Sequence, residues 1–365
     1  MIKTSRNHGI DLLRIACMLA IVLIHVLGHG GVLAGATSRL DHATLYVLKT
    51  FVQPAVDCFV LISGFVGYRG EKYYPRLKNI LSLLSTVLFY SVSFAIIFKL
   101  IYPEAISLVD ILKACIPTIS KQYWFFTIYF GLMIVTPFLN YAVHKADKKQ
   151  LLILSLAFAF FSCFSLIKDP FAFSSGYSVI WFVFLYLIGA IIKKYDIPRI
   201  LNKKTWLLVA SVLLILIWLS VVIFNLIDIQ IIKENSEFFL SNTSPFVVAV
   251  AICWLCLFSK INCAKAICAT IGFLTPSVFS VYLIHDNIYI RTYLISSICN
   301  ITDGYSLPLL ILFVIGSVVA IFSCCILIDK VRIFIFYITR INKIPEKLEV
   351  FIKKIFYSIY NKIDS

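Results

Sequence analysis

Apolar blocks of about 20 residues, separated by short connectors rich in cations, divide this 365-residue chain. A helix rises about 1.5 Å per residue, so each block can cross about 30 Å of hydrocarbon with its backbone hydrogen bonds made internally. The blocks fall at 10–28, 50–67, 80–101, 122–143, 151–167, 177–193, 206–225, 245–259, 276–298 and 306–328. They predict an all-α polytopic membrane protein of about ten transmembrane helices. The 11 Pro and 14 Gly do not punctuate the chain at the short regular spacing of a membrane β-barrel. With 61% hydrophobic and 14% charged residues and a mean hydropathy of +0.95, the chain lacks the polar residues to clothe a soluble surface.

A net charge of +15 would point to nucleic acid in a soluble protein; in a polytopic chain, retained cations report topology, and no nucleic-acid partner is expected. Of the 33 Lys and Arg, 24 fall on one alternating set of connectors and in the tail, and 8 on the opposite set, with Arg14 inside the first block. Both termini are therefore placed in the cytoplasm. Asp11 and Arg14 interrupt the first block and no cleavage site follows, so it is expected to persist as a helix rather than be removed as a signal peptide. Residues 1–330 form the membrane-embedded region. The tail, 331–365, mixes Ile, Phe and Tyr with Lys and Arg and reads as a basic amphipathic helix on the inner leaflet or as a simple positive-inside anchor. Most of the 11 cysteines lie in or at the ends of apolar blocks, where a thiol behaves as a small hydrophobe; neither a disulfide framework nor a metal centre is expected, and the Cys253–Cys256 C-x-x-C has no nearby His or charged partner.

Ionisable residues inside spans cost about 2.5–3.5 kcal/mol each on insertion scales, which makes them functional candidates. The first block carries Asp11, Arg14 and His25. Eleven residues separate Arg14 from His25, so they share a helix face at a separation of about 16 Å. A permanently charged guanidinium suits a phosphate near one interface, and a group titrating near neutrality suits proton transfer at the other end. Arg14 also reads as an interface cation paired with Asp11 at i, i+3, and His25 as a hydrogen-bonded helix contact. The second block runs the other way and puts Asp57 at a depth comparable to His25, where a carboxylate would fix the imidazole tautomer. Ser63, Gly64 and Tyr68 lie towards the opposite half, Ser63-Gly64 being equally suited to close helix packing. Arg69 and Arg76 follow, with Lys72 and Lys78, as an array able to hold phosphates, although topology alone would also place cations there. Trp124 opens a later span, a usual place for an interfacial aromatic, and His285 and Asp286 sit side by side deep in the ninth block.

These residues resemble the membrane-bound acyltransferase-3 family, which acylates bacterial surface polysaccharides. The resemblance rests on D-x-x-R-x-A-x(8)-H at Asp11, Arg14, Ala16 and His25, on D-C-F-V-L-I-S-G-F from Asp57 to Phe65, on Y-W-F-F from Tyr123 to Phe126, and on Y-L-I-H from Tyr282 to His285. It spans roughly residues 8–330, and the combination of Arg-x(10)-His with F-x-x-x-S-G-F is its most specific part.

The resemblance implies a multi-pass protein of the bacterial cytoplasmic membrane. It implies acetyl-CoA or another acyl-CoA as co-substrate, without a metal, and a hydroxyl of a glycan or lipid-linked sugar as acceptor. His25 with Asp57 would then be catalytic, as general base or acyl carrier. Arg14, Ser63, Tyr68, Arg69, Arg76 and Trp124 would hold the acyl-CoA, and Asp11, Tyr282 and His285 are further candidates. The sequence runs 37 residues past the last block, so no additional esterase-like domain is expected, and acceptor recognition is expected in the loops 28–49 and 226–244. A transporter or flippase for a lipid-linked sugar also builds on intramembrane His, Asp and Arg, although the duplicated halves of many transporters are not evident here.

Overall fold

The computed structural model describes residues 6–36, 38–70, 77–167, 169–227, 229–302 and 304–363. Among them the regular structure is entirely helical. In chain order the helices are α1 (His8–Gly28), α2 (Arg39–Val52), α3 (Ala55–Gly67), α4 (Leu77–Ile101), α5 (Leu108–Ala114), α6 (Trp124–Lys145), α7 (Lys148–Ile167), α8 (Val179–Lys194) and α9 (Lys203–Leu226). They continue as α10 (Gln230–Glu234), α11 (Pro245–Ser259), α12 (Lys265–Leu274), α13 (Val278–His285), α14 (Ile288–Ile290), α15 (Ile298–Thr302), α16 (Leu307–Ile338) and α17 (Ile344–Ile363).

Nine helical stretches among the described residues are long and apolar enough to cross a membrane. The tenth expected block is α8, a helix of only 16 residues. Three expected spans are longer than the apolar pattern indicated, α16 among them. The block at 50–67 is the second half of Arg39–Gly67, bent at Gln53–Pro54, where proline has no N–H to continue the ladder. The block at 245–259 is preceded by an irregular polar segment that joins it to α10. Inside α6, Pro137 leaves the Met133 carbonyl without its helical donor, and Thr136 Oγ1 donates to it at 2.8 Å, which keeps a proline tolerable at membrane depth.

The ninth block departs most from expectation. Instead of one helix over 276–298, α12 and α13 bend at a 3₁₀ turn, Thr275–Ser277, and α13 stops at His285. Asn287 ends it: its fully buried side chain accepts from the Tyr289 N–H and donates to the Tyr123 hydroxyl at 2.8 Å, so a local polar cap outcompetes helix propagation. A π-helical turn, Arg291–Ile295, follows.

The core is built around α1, α3, α8, α11 and α13. The α3–α8 contact is the most extensive, because two glycines let the backbones meet: a Cβ on Gly64 would lie 2.0 Å from the Tyr186 carbonyl oxygen, and one on Gly189 would lie 2.1 Å from that of Leu61. Several cations at the Arg14 end of the bundle cap exposed carbonyls. Lys194 Nζ donates to Val143 and Ala146 (2.8 and 2.7 Å), Lys260 Nζ to Pro198 and Leu201 (3.0 and 2.7 Å) and Lys330 Nζ to Phe273 (2.6 Å). A buried network at Asp329 joins α4 to α16, with Tyr90 hydroxyl and Arg332 Nε both donating to Asp329 Oδ1 at 2.8 and 2.7 Å. α16 runs ten residues beyond the last apolar block before α17 folds back along α4, tied by a Lys78–Glu346 ion pair.

Candidate active site

Antiparallel packing of α1 and α3, with α6 running beside them, gives each helix one end at His25 and one at Arg14. At the first end, His25 Nδ1 lies 3.0 Å from His285 Nε2, and His285 Nδ1 lies 2.6 Å from the Val281 carbonyl oxygen. A carbonyl only accepts, so His285 Nδ1 carries the proton and the Nε2 of the neutral ring is a lone pair. His25 Nδ1–H must donate to it, which leaves the lone pair of the neutral His25 on Nε2. The Asp286 carboxylate is 3.7 Å from His25 Nδ1 and also accepts from Arg291 Nη1 at 3.4 Å.

His25 borders a cavity of about 460 Å³. Met18, Phe59 and Phe125 line its apolar side, Trp124 and Tyr177 form an aromatic wall with ring centroids 4.4 Å apart, and Gln53, Asn242, Lys49, Glu237 and Arg291 line it with polar groups. Gln53 Nε2 donates to Asn242 Oδ1 at 2.8 Å, while Lys49 Nζ and the Tyr46 hydroxyl converge on Glu237, each at 2.5 Å.

A second cavity, about 240 Å³, lies at the other end and is lined by Arg14, Ser63, Tyr129, Asn140 and Tyr186 among others. Arg14 Nη1 is bound to Asp11 Oδ1 at 2.8 Å, and Asp11 Oδ2 takes Arg6 Nε, so one buried carboxylate holds two guanidinium groups. Only one helical turn divides the two cavities. Phe59 and Ser63 on α3, and Phe125 and Tyr129 on α6, stand on opposite sides of this wall at i, i+4 spacing. Ser63 Oγ and Tyr129 hydroxyl are 3.0 Å apart, and the Phe125 and Tyr129 rings stack with centroids at 5.7 Å.

The expected His25–Asp57 pair does not form. Asp57 shares the level of His25 but faces α8, where Trp181 Nε1 donates to its Oδ1 at 3.2 Å and its Oδ2 has no partner. The close α3–α8 approach turns this side chain away from α1, and Asp286 is the carboxylate beside His25 instead. Tyr282 stays with the site: its ring lines the His25 cavity and its hydroxyl accepts from the Phe125 N–H at 3.2 Å. Trp124, grouped with acyl-CoA binding from sequence, stands at the His25 end rather than the Arg14 end. Tyr68 ends α3 by donating its N–H to the Gly64 carbonyl, Arg69 is exposed just beyond, and neither lines the Arg14 cavity. Arg76 lies outside the described residues.

Sequence reasoning missed His29, Arg291, Gln53, Tyr177 and Asn242. Only His29 left a signal, one turn after His25. Both loops expected to recognise the acceptor do line the His25 cavity, through His29, Leu33 and Lys49 and through Glu237 and Asn242. His25, His29 and Asp286 bring potential metal-ligand atoms within 4.8 Å of one another, but Arg291 already supplies a cation to the carboxylate.

His25, its hydrogen-bond direction fixed by the buried His285, borders a cavity within a bundle of spanning helices, the setting of a membrane protein with a buried polar site. The acyltransferase domain of the acyltransferase-3 family matches residues 7–329, and the chain belongs to this family: it is a multi-pass membrane acyltransferase. No curated protein and no solved structure matches the chain significantly.

Proposed function

We propose that the protein moves an acyl group, acetyl in the simplest case, from cytoplasmic acyl-CoA to a hydroxyl of a cell-surface glycan or its lipid-linked precursor, in the cytoplasmic membrane of a bacterium, with both termini in the cytoplasm. The observation that carries the reading is the lone pair that the His285 bond leaves on His25 Nε2, in a residue that borders a cavity of ligand size.

The acyl-CoA arrives at the Arg14 end. Arg14 and Arg6 together outweigh Asp11 by one positive charge, which suits phosphate, and Ser63, Tyr129, Asn140 and Tyr186 offer the polar lining that a pantetheine amide chain requires. The chain then extends through the one-turn wall, and the span of about 16 Å from Arg14 to His25 leaves the thioester beside the imidazole. The acceptor enters the His25 cavity against Trp124 and Tyr177, whose faces suit the C–H face of a sugar ring, with the Gln53–Asn242 amides for its hydroxyls. His25 Nε2 takes the hydroxyl proton as the oxygen attacks the thioester carbonyl. The C–S bond then breaks, and the His25 imidazolium returns the proton to the CoA sulfur. Asp286 stabilises the imidazolium in between.

The test is release of CoA thiol from acetyl-CoA by the purified protein in nanodiscs, with methyl pyranosides as acceptors, comparing wild type with His25→Ala. The expected result is acetyl-CoA binding by both and turnover reduced about 10²–10⁴-fold in the variant. Radiolabelled acetyl retained on the protein without acceptor would replace the base role by an acyl-histidine. Two cavities divided by a thin wall also suit an alternating-access carrier for a lipid-linked sugar. A folded wild type that engages no acyl-CoA would make that the leading reading.

A further inference from the structure

We infer that Arg291 is the oxyanion donor of this site: its guanidinium receives the thioester carbonyl oxygen as negative charge develops there. The inference rests on the acyl-transfer reading above.

Acyl transfer needs more than a base. When the acceptor oxygen bonds to the carbonyl carbon, the carbonyl π electrons move onto oxygen, and in a cavity as apolar as this one that charge requires a donor already in place. Three observations converge on Arg291. First, it lines the cavity that His25, Tyr282 and Trp124 line, and its side chain is 35% exposed rather than packed into the core. Second, Asp286 Oδ1 lies 3.4 Å from Arg291 Nη1 and 3.7 Å from His25 Nδ1. One carboxylate therefore lies beside both the base and the cation and keeps the two on the same cavity. Third, Nη1 is the only one of its donors with a partner among the described residues, and a guanidinium carries five N–H donors in a planar fork. The free donors are available to an oxygen in the cavity.

The backbone explains how Arg291 gets there. An uninterrupted helix beyond His285 would place residue 291 six positions on, far along the axis and on another azimuth. The cap at Asn287 breaks the helix, the Arg291 N–H donates to the Asn287 carbonyl at 2.8 Å, and the Ser296 N–H returns to the Arg291 carbonyl at 3.0 Å in the π turn. Such turns are uncommon and concentrate at functional sites. Lys49, the other long-chain cation on the cavity, is held by Glu237 at 2.5 Å, a closer pairing than the 3.4 Å of Arg291 with Asp286.

In the reaction, the acceptor O–C bond forms, the carbonyl oxygen becomes an oxyanion against the Arg291 donors, and the hydroxyl proton resides on His25. Collapse restores the carbonyl, breaks the C–S bond and sends the proton to the CoA sulfur. A neutral thioester draws little on the guanidinium before attack, so the effect belongs in kcat rather than KM.

The experiment measures CoA-thiol release from acetyl-CoA with a methyl pyranoside acceptor for wild type, Arg291→Ala and Arg291→Lys in nanodiscs, each first checked for a monodisperse profile and wild-type acetyl-CoA binding. The expected result for Arg291→Ala is a kcat lower by about 10²–10³-fold with both KM values little changed, and partial recovery on adding guanidinium chloride. Arg291→Lys, which keeps charge without the fork, falls between the two. An unchanged kcat, a loss confined to the acceptor KM, or a loss in Arg291→Ala that guanidinium does not restore while Arg291→Lys is equally inactive would overturn the inference. If His25→Ala is inactive while Arg291→Ala turns over normally, the inference fails and the acyl-transfer reading stands; a wild type without turnover overturns both.

Discussion

His25 and His285 lie 260 positions apart in sequence and share one hydrogen bond, 3.0 Å from Nδ1 to Nε2, whose direction is dictated by the Val281 carbonyl 2.6 Å beyond. The carbonyl fixes the tautomer of the second ring, and the second ring fixes that of the first. The arrangement delivers a free imidazole nitrogen to the cavity without a carboxylate bonded to the ring.

His285 therefore acts on chemistry through His25. His285→Ala is expected to lower kcat by about tenfold or more, less than the loss in His25→Ala, with the KM for acetyl-CoA unchanged. His285→Gln, whose amide oxygen accepts where Nε2 did, is expected to recover part of the loss. Steady-state CoA-thiol release checks both, and equal inactivity of the two variants with unaltered thermal stability would argue against an acceptor role for His285.

Gly64 and Gly189 form a reciprocal contact, each seated on a carbonyl of the other helix. Gly64→Ala or Gly189→Ala forces α3 and α8 apart and is expected to cost about 1–3 kcal/mol or more. The double variant should cost less than the sum, since the first substitution already separates the backbones. Thermal unfolding followed by size-exclusion chromatography in detergent measures it.

Asp329 holds Tyr90 and Arg332 at a position without solvent exposure. Asp329→Ala leaves Arg332, itself 11% exposed, without its partner, and is expected to destabilise by about 3–5 kcal/mol. Tyr90→Phe removes a single hydrogen bond within the membrane and should cost about 1 kcal/mol. Comparable melting shifts for the two variants would contradict this account of the network.

Zinc should inhibit. His25, His29 and Asp286 offer three ligand atoms within 4.8 Å, and a Zn²⁺ held among them would take one imidazole nitrogen of His25, either the Nε2 lone pair or the Nδ1 that bonds His285. Inhibition is expected to reverse with EDTA and to weaken in His29→Ala, which removes one ligand. Zinc titration of CoA-thiol release reads both effects, and EDTA alone is expected to leave activity intact.

The sequence by itself determined the features that act along one segment. Block length and apolarity made the chain helical and membrane-spanning, because a lipid core demands internal backbone hydrogen bonds. Helical periodicity put Arg14 and His25 on one face at a calculable distance, and the cost of ionisable residues in apolar surroundings marked Asp11, Asp57, His285 and Asp286. The family was legible in the order and spacing of those same residues.

Tertiary structure decided which side chains meet. Asp57 and Asp286 are equally conspicuous in sequence, yet Gly64 and Gly189 draw α3 onto α8 and give Asp57 to Trp181, while the Asn287 cap ends α13 and leaves Asp286 beside His25. Arg291 fell inside the expected ninth block, and only the break and the π turn disclose its place on the cavity. Periodicity records spacing along one helix; the facing of one helix against another is set by close backbone approach and by caps whose partners lie more than a hundred residues away, such as Tyr123 for Asn287.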